Sequence, residues 1–198
     1  AAGILLPVYI ASDIGGLIAF RREFDRRVIA ILAVGATLGV VLGWATAHVV
    51  SEAAVTLLVG LIGTIFALNL ILRPRIGAQA REPRVAPGLF WGGVTGFTSF
   101  VSHSGAPPFQ IYVMPLNLPK MVFAGTSTLL FAAVNAMKIL PYWALGQLNP
   151  TNLAITAWLA PVAVAATFIG VWLNRRIPEK LFYRLVMGAL FVLSLKLV

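Results

Sequence analysis

The chain has 198 residues, of which 60% are hydrophobic and only 11% are charged, and its mean hydropathy of +0.93 excludes a water-soluble globular domain. Lysine and arginine number 15 against six acidic residues. Most of these basic residues lie in short segments between apolar runs, a pattern typical of membrane topology and not of nucleic-acid binding. The chain has no cysteine, so disulfides, thiolate metal sites and thiol nucleophiles are excluded.

Six apolar runs are each predicted to form a membrane-spanning helix. A helix of ~20 residues crosses the ~30 Å hydrocarbon core of a bilayer. The first run begins at once and without a methionine, which predicts further sequence upstream. The runs are 3–20, 28–48, 53–72, 120–142, 153–173 and 180–197.

Three glycines in the second run, Gly35, Gly39 and Gly43, recur every four residues. They fall on one helix face and let another backbone approach closely. That neighbour could belong to the same chain or to a second copy, so the pattern is compatible with a monomer and with a homodimer.

A further apolar stretch, 85–119, is interrupted by polar residues, glycine and proline at 102–108. Its arms, 87–102 and 108–118, would be ~24 Å and ~17 Å long as helices, and the second is too short to cross a bilayer. Two interpretations follow. The stretch is either one crossing followed by an outside loop, or a hairpin that returns to the side from which it started.

The distribution of basic residues favours the hairpin. The segments 21–27, 73–84 and 175–184 contain four basic residues each, whereas the loops 49–52 and 143–152 contain none. The three basic segments lie on one side of the membrane only if 85–119 does not cross it. The positive-inside rule then places them in the cytoplasm.

A weak internal repeat relates 51–59 to 178–186 and aligns Asp13 with Asn135. Because each half has three crossings, an odd number, the halves would be inverted copies. The predicted fold is therefore an all-α membrane protein, a polytopic bundle of two inverted repeats of three spanning helices plus a re-entrant hairpin. The predicted organisation is a first repeat at 1–72 that lacks its own hairpin, a basic cytoplasmic linker at 73–86, and a second repeat at 87–198 with the hairpin at 87–119.

The break in the hairpin is the strongest candidate for a binding site. Backbone that leaves the helix inside a membrane must be satisfied by protein or by a watery cavity. Ser104 is expected to cap the second half-helix, with Pro107 and Pro108 in its first turn. The free amides and the positive end of the helix dipole would then face an anion.

The segment Gly125, Thr126 and Ser127 follows the hairpin closely. Its hydroxyl groups could bind a ligand, or the segment could serve helix packing.

Asp13, Asn135 and Lys138 are polar residues well inside predicted helices, where an ionisable group marks a pathway or an ion pair. Asn135 and Lys138 share a helix face, and the inverted repeat brings Asp13 near that face. Either Asp13 and Lys138 form an ion pair that locks the halves together, or Lys138 adds positive charge to a substrate cavity while Asp13 exchanges a proton.

His103 at the break could carry a proton, contact a substrate or make a structural hydrogen bond. It and His48 lie in different segments without metal-site spacing, so no metal site is expected. No serine–histidine–acid set, phosphate loop or carboxylate pair can be assembled. The sequence therefore predicts neither an enzyme nor a cofactor.

Several of these segments together resemble the TauE/SafE permeases, the sulfite-exporter-like family. The segments similar to the second half of these permeases are Gly96–Pro108, Ala124–Ser127, Asn135 and Lys138–Tyr142. Those similar to the first half are the Asp13 helix, Arg21-Arg22, and Gly35 to Gly43 ahead of Ser51-Glu52. The resemblance covers essentially the whole chain. It implies a bacterial inner-membrane carrier for small anions, often sulfur oxyanions or organosulfonates. It also implies a glycine-rich first hairpin that this chain lacks.

The predicted function is a multi-pass secondary transporter of a small anion in the bacterial inner (plasma) membrane, with one half rocking against the other. The alternatives are an intramembrane enzyme, with His103 and Asp13 as acid and base, and a structural subunit of a membrane complex. Asp13 is expected to couple to protons or to pair with Lys138. The predicted substrate-binding residues are Ser102, His103, Ser104, Gly105, Gln110, Gly125, Thr126, Ser127, Asn135 and Lys138.

Overall fold

The computed structural model of the chain describes residues 2–72 and 80–198. These ranges contain α-helices and a short 3-10 helix, Met114–Leu116, and no strand, which confirms the all-α prediction. The predicted basic residues Arg73 and Arg75 lie outside the described residues. The helices are α1 (Ala2–Phe20), α2 (Arg26–Ala45), α3 (Glu52–Leu72), α4 (Val85–Ser102), α5 (Ala106–Val113), α6 (Lys120–Ala144), α7 (Pro150–Arg176) and α8 (Glu179–Leu197).

Five of the described helices, α1, α2, α3, α6 and α7, are long and apolar enough to cross a bilayer. They correspond to five of the six predicted spans, so the chain is a polytopic helical membrane protein. The sixth predicted span, 180–197, forms α8 but is not among the five. Its 19 residues include Lys180, Arg184 and Lys196, besides Glu179 at its start, and these charges make it less suited to a hydrocarbon environment.

Polar residues define where several helices begin. Asp25 precedes α2, and its Oδ1 accepts a hydrogen bond from the amide of Val28 (2.9 Å). Asn149 caps α7 in the same way through the amide of Asn152 (2.9 Å), with Pro150 in the first position. Such caps satisfy amides that have no partner inside the helix.

The described residues form two compact units. The first comprises Ala1–Ile29 and Met121–Ile177, and the second comprises Ala30–Lys120 and Pro178–Val198. Each unit therefore takes helices from both halves of the sequence. The repeat boundaries at 72 and 87 stay a prediction, since they concern sequence ancestry and not packing.

In the first unit, α1 packs along α7. The Thr156 hydroxyl donates to the Ile4 carbonyl (3.3 Å) near the start of both helices. Arg175 donates to the Ala19 carbonyl (3.4 Å) near the end of both. The two helices are therefore parallel. The basic residues that follow α1, Arg21 and Arg22, and those in the last turn of α7, Arg175 and Arg176, lie at the same end of this unit.

In the second unit, glycines bring α2 and α4 together. An added Cβ at Gly39 would overlap the Gly93 carbonyl, and one at Gly35 would overlap the Leu89 carbonyl. Gly92 of α4 faces the backbone of Leu32 in return. The predicted glycine face thus packs within the chain. Whether the protein is a monomer or a homodimer stays a prediction.

Candidate functional site

At the break between α4 and α5, one backbone carbonyl accepts several hydrogen bonds. His103 adopts a left-handed conformation (φ 54°), which ends α4. The Thr98 carbonyl accepts the amides of His103 and Ser104 (the latter at 3.3 Å) and the hydroxyl of Ser102 (3.2 Å). A helix C-terminus that ends in this way leaves few carbonyls exposed.

The two arms of the predicted hairpin return to the same end of the second unit. The Tyr112 hydroxyl, near the end of α5, donates to the Arg84 carbonyl just before α4 (3.0 Å). The Arg81 amide donates to the Pro115 carbonyl (3.2 Å). The two arms, 18 residues in α4 and eight in α5, therefore form a hairpin within this unit. That this hairpin re-enters the membrane stays a prediction.

The tip of the hairpin packs against the middle of α3. A Cβ added at Gly63 would lie 3.1 Å from Pro107 Cβ, and Gly63 is the twelfth of the 21 residues of α3. The length and apolar composition of α3 suit a membrane-spanning helix. A contact at its middle therefore supports the prediction that 102–108 lies within the membrane, which stays a prediction.

The start of α5 differs in one detail from the prediction. Gly105 occupies the N-cap position, with no side-chain cap, and the Ser104 hydroxyl instead donates backward to the Ser102 carbonyl (3.1 Å). The predicted cap by Ser104 is wrong because Ser104 lies one position too early for its hydroxyl to reach the first-turn amides.

Pro107 and Pro108 do lie in the first turn of α5, as predicted. Neither has an amide hydrogen, and the Phe109 amide already donates to the Gly105 carbonyl (3.2 Å). Gly105 and Ala106 are therefore the residues at this helix end whose amides can donate to a ligand.

Gly125 and Thr126 pack in the first unit against the turn that joins α1 to α2. A Cβ at Gly125 would overlap the Glu23 carbonyl. Thr126 Oγ1 accepts the amide of Asp25 (2.9 Å), the residue that caps α2. These contacts give the segment a packing role. A substrate role for Gly125, Thr126 and Ser127 stays a prediction.

The predicted neighbourhood of Asp13, Asn135 and Lys138 is found in the first unit. The Asn135 amide group donates to Asp13 Oδ2 (2.8 Å), and Lys138 interacts electrostatically with Asp13. Lys138 is 0% exposed and is the one buried charged residue in the described part of the chain. A buried ammonium group needs a nearby negative charge, which Asp13 provides.

The predicted binding residues are divided between the two units. Those of the hairpin, 102–105 and Gln110, belong to the second unit, while those of α6 and Asp13 belong to the first. A common site that uses both groups stays a prediction. No cluster of three or more histidine, aspartate or glutamate side chains suited to a metal ion occurs within 2–72 and 80–198.

Sequence reasoning missed a set of hydroxyl groups in the second unit. Thr64 Oγ1, Thr95 Oγ1 and Ser194 Oγ are buried and have no hydrogen-bond partner among the described residues, and the same holds for Gln110 Oε1. An isolated hydroxyl in an apolar run carries no pattern that separates it from a residue bonded to its own helix. Only Gln110 was among the predicted residues.

The comparison with protein families gives one match. The sulfite exporter TauE/SafE family model covers residues 1–197. No curated protein and no solved structure gives a match. The family matched on these residues consists of membrane transporters of sulfur compounds. Because the match extends over nearly the whole chain, the chain belongs to the sulfite exporter TauE/SafE family.

Proposed function

We propose that the protein is a secondary transporter that moves a small anion, a sulfur oxyanion or an organosulfonate, across the bacterial inner membrane, and that it is not an enzyme. One observation carries this proposal. The hairpin tip, with the first turn of α5, lies against Gly63 in the middle of α3. A broken helix at the depth of a spanning helix is where secondary transporters bind their substrates.

The chemistry of the tip suits a negatively charged substrate. The amides of Gly105 and Ala106 precede the first hydrogen bond within α5, and the helix dipole adds partial positive charge at the same place. The two prolines that follow remove competing amides and favour the helical conformation. The donors are therefore fixed before the anion arrives, which lowers the entropic cost of binding.

The Asp13–Lys138 interaction offers a route to proton coupling. While Asp13 is ionised, it balances the positive charge of the buried Lys138. Protonation of Asp13 removes that balance, so the uncompensated ammonium group attracts an anion more strongly. Proton uptake at Asp13 would then favour loading of the substrate, as in anion–proton symport.

Uptake of radiolabelled sulfite into proteoliposomes tests the proposal. We expect saturable uptake by the chain. Lys138→Met, which keeps side-chain volume but removes the charge, should lower the initial rate by about tenfold or more. Lys196→Met, at an exposed position of α8, is the matched control and should retain the rate of the unaltered protein.

The same proteoliposome measurements can also contradict the proposal. Failure of the unaltered protein to move sulfite, sulfate or any simple sulfonate would overturn the transport proposal. Equal rates in Lys138→Met and Lys196→Met would remove Lys138 from the substrate path. An imposed proton gradient should accelerate uptake, and a rate that is indifferent to the gradient would exclude coupling through Asp13.

A further inference from the structure

Four buried polar atoms in the second unit have no hydrogen-bond partner among the described residues: Thr64 Oγ1, Thr95 Oγ1, Gln110 Oε1 and Ser194 Oγ. They belong to α3, α4, α5 and α8 respectively. The side chains of Thr95 and Ser194 are 0% exposed. Burial of a polar atom without a partner is destabilising, and folded proteins retain few such atoms.

Two of these four atoms, those of Ser194 and Gln110, belong to residues near the first turn of α5. A Cβ added at Gly63 would overlap the Ser194 hydroxyl and approach Pro107 Cβ at 3.1 Å, so Ser194 and Pro107 meet at Gly63. Thr64 is the next residue of α3 and lies at the same level of that helix, although its side chain leaves the helix in a different direction. Gln110 lies three residues after Pro107 and therefore on the same side of α5. Thr95 belongs to α4, the other arm of the hairpin, which packs on α5.

Two of the hydroxyl groups that the sequence favoured already donate hydrogen bonds within the protein. Ser102 and Ser104 donate to the carbonyls of Thr98 and Ser102. Thr126 Oγ1 accepts the amide of Asp25. Binding an anion through Ser102 or Ser104 would first require those bonds to break, whereas Thr126 only accepts and keeps its hydroxyl hydrogen. Thr64 and Ser194 carry no such cost, because their hydroxyl hydrogens are free to donate to a ligand.

We infer that Ser194 and Gln110 form a polar wall of the substrate site beside the first turn of α5, with Thr64 contributing from α3 and Thr95 from α4. This inference rests on the proposed transport function. It places hydrogen-bond donors on α3 and α8, two helices that the family resemblance did not single out. Together with the Gly105 and Ala106 amides, they surround an oxyanion from several directions.

The composition of this wall also defines the class of substrate. The hydroxyl groups and amides donate to oxyanion oxygens, but Gln110 Oε1 can only accept. No charged side chain is buried in the described part of the second unit. Neutral donors compensate a single negative charge more readily than two. The site therefore favours a monoanion that carries a hydrogen-bond donor of its own.

Ligand-dependent thermal unfolding in detergent tests the assignment of the hydroxyl groups. The variants are Ser194→Ala and Thr64→Val. Their controls are Ser12→Ala and Thr37→Val, whose hydroxyls donate to carbonyls of their own helices. With 2-hydroxyethanesulfonate as the probe, we expect each test variant to bind about tenfold more weakly and each control to bind normally.

The unfolding temperature without ligand separates a binding role from a structural role. Removal of an unpartnered polar atom should leave that temperature unchanged or raise it. Test variants that bind as tightly as the unaltered protein overturn this inference alone. A lower unfolding temperature with unchanged binding does the same, because it indicates a structural hydrogen bond. An unaltered protein that binds none of the sulfur anions overturns the proposed function as well.

A matched pair of ligands tests the role of Gln110. Ethanesulfonate and 2-hydroxyethanesulfonate differ by one hydroxyl group. We expect the protein to prefer the hydroxylated anion by about tenfold, the loss expected for one unmade hydrogen bond. Gln110→Leu should remove the preference, while Gln147→Leu, in the loop between α6 and α7, should keep it. A preference that survives in Gln110→Leu, or that is absent from the unaltered protein, overturns the role of Gln110.

Discussion

The two units handle buried polarity in opposite ways. In the first unit, the buried charge of Lys138 is balanced by Asp13, which also accepts a hydrogen bond from Asn135. In the second unit, the break between α4 and α5 is neutral. Its backbone groups converge on the Thr98 carbonyl, while the hydroxyls around α5 are left without partners.

This difference separates two tasks of a carrier. A charge that is already balanced inside the protein contributes little to binding until one partner changes its protonation state. Neutral donors without partners can contribute their full hydrogen-bonding capacity to an incoming ligand. We therefore expect the neutral donors of the second unit to bind a ligand and the Asp13–Lys138 interaction of the first unit to respond to protons.

Removal of the Asp13 charge should have the largest effect on stability. Asp13→Asn leaves Lys138 buried without a balancing charge and should cost about 3 kcal/mol of unfolding free energy. Lys138→Met should cost less, because Asp13 is only half-buried and water can reach it. Chemical denaturation in detergent micelles measures both, and the double variant should recover most of the loss. Equal costs for the single variants would contradict this asymmetry.

The second-largest loss of stability is expected at the glycine contact between α2 and α4, which lies in the second unit. Gly39→Ala places a Cβ against the Gly93 carbonyl, which belongs to backbone and cannot turn aside. We expect a loss of about 2 kcal/mol in unfolding free energy. Gly170→Ala and Gly188→Ala are controls, since a Cβ at either position meets no atom within 4 Å. Comparable losses in all three variants would show that the cost does not come from this contact.

At His103, the left-handed residue of the break, we expect alanine and glycine variants to differ by about 1 to 2 kcal/mol in unfolding free energy. His103→Gly and His103→Ala both remove the imidazole, so the difference between them isolates the backbone conformation at φ 54°. The glycine variant should be the more stable of the two in thermal unfolding. Equal stability would indicate that the chain at this position relaxes out of the left-handed region.

The smallest predicted effect concerns the closure of the hairpin. Tyr112→Phe removes the hydroxyl that donates to the Arg84 carbonyl and should cost about 1 kcal/mol. The measurement is the midpoint of thermal unfolding. Tyr9→Phe in α1, a helix of the other unit, provides the comparison. If Tyr112→Phe loses no stability, the bond does not hold the arms together.

The sequence predicts much of this fold because its strongest signals are local. The length of each apolar run and the break at 102–108 can both be recognised within one segment. The hairpin was also predicted, because charge asymmetry between loops restricts topology. The predicted span at 180–197 stays a prediction, since α8 combines the length of a spanning helix with several charged side chains.

The candidate site was predicted only in part. The approach of Asp13 to Asn135 followed from the repeat, and the structure joins them. The roles of Ser104 and Thr126 did not follow, because a hydroxyl group bonds whichever acceptor or donor the fold brings near it. Ser104 turned back to the Ser102 carbonyl, and Thr126 met the amide of Asp25. Ser194 and Thr64 gave no signal at all.

The sequence by itself determined that this protein crosses a membrane several times and where its helix is broken, because bilayer thickness and the cost of unpaired backbone act on each segment separately. Only the tertiary structure decided which polar groups remain available to a ligand. Whether a hydroxyl has a partner depends on residues from helices far apart in the chain, such as Gly63, Pro107 and Ser194. Their proximity is a property of packing, which no single segment contains.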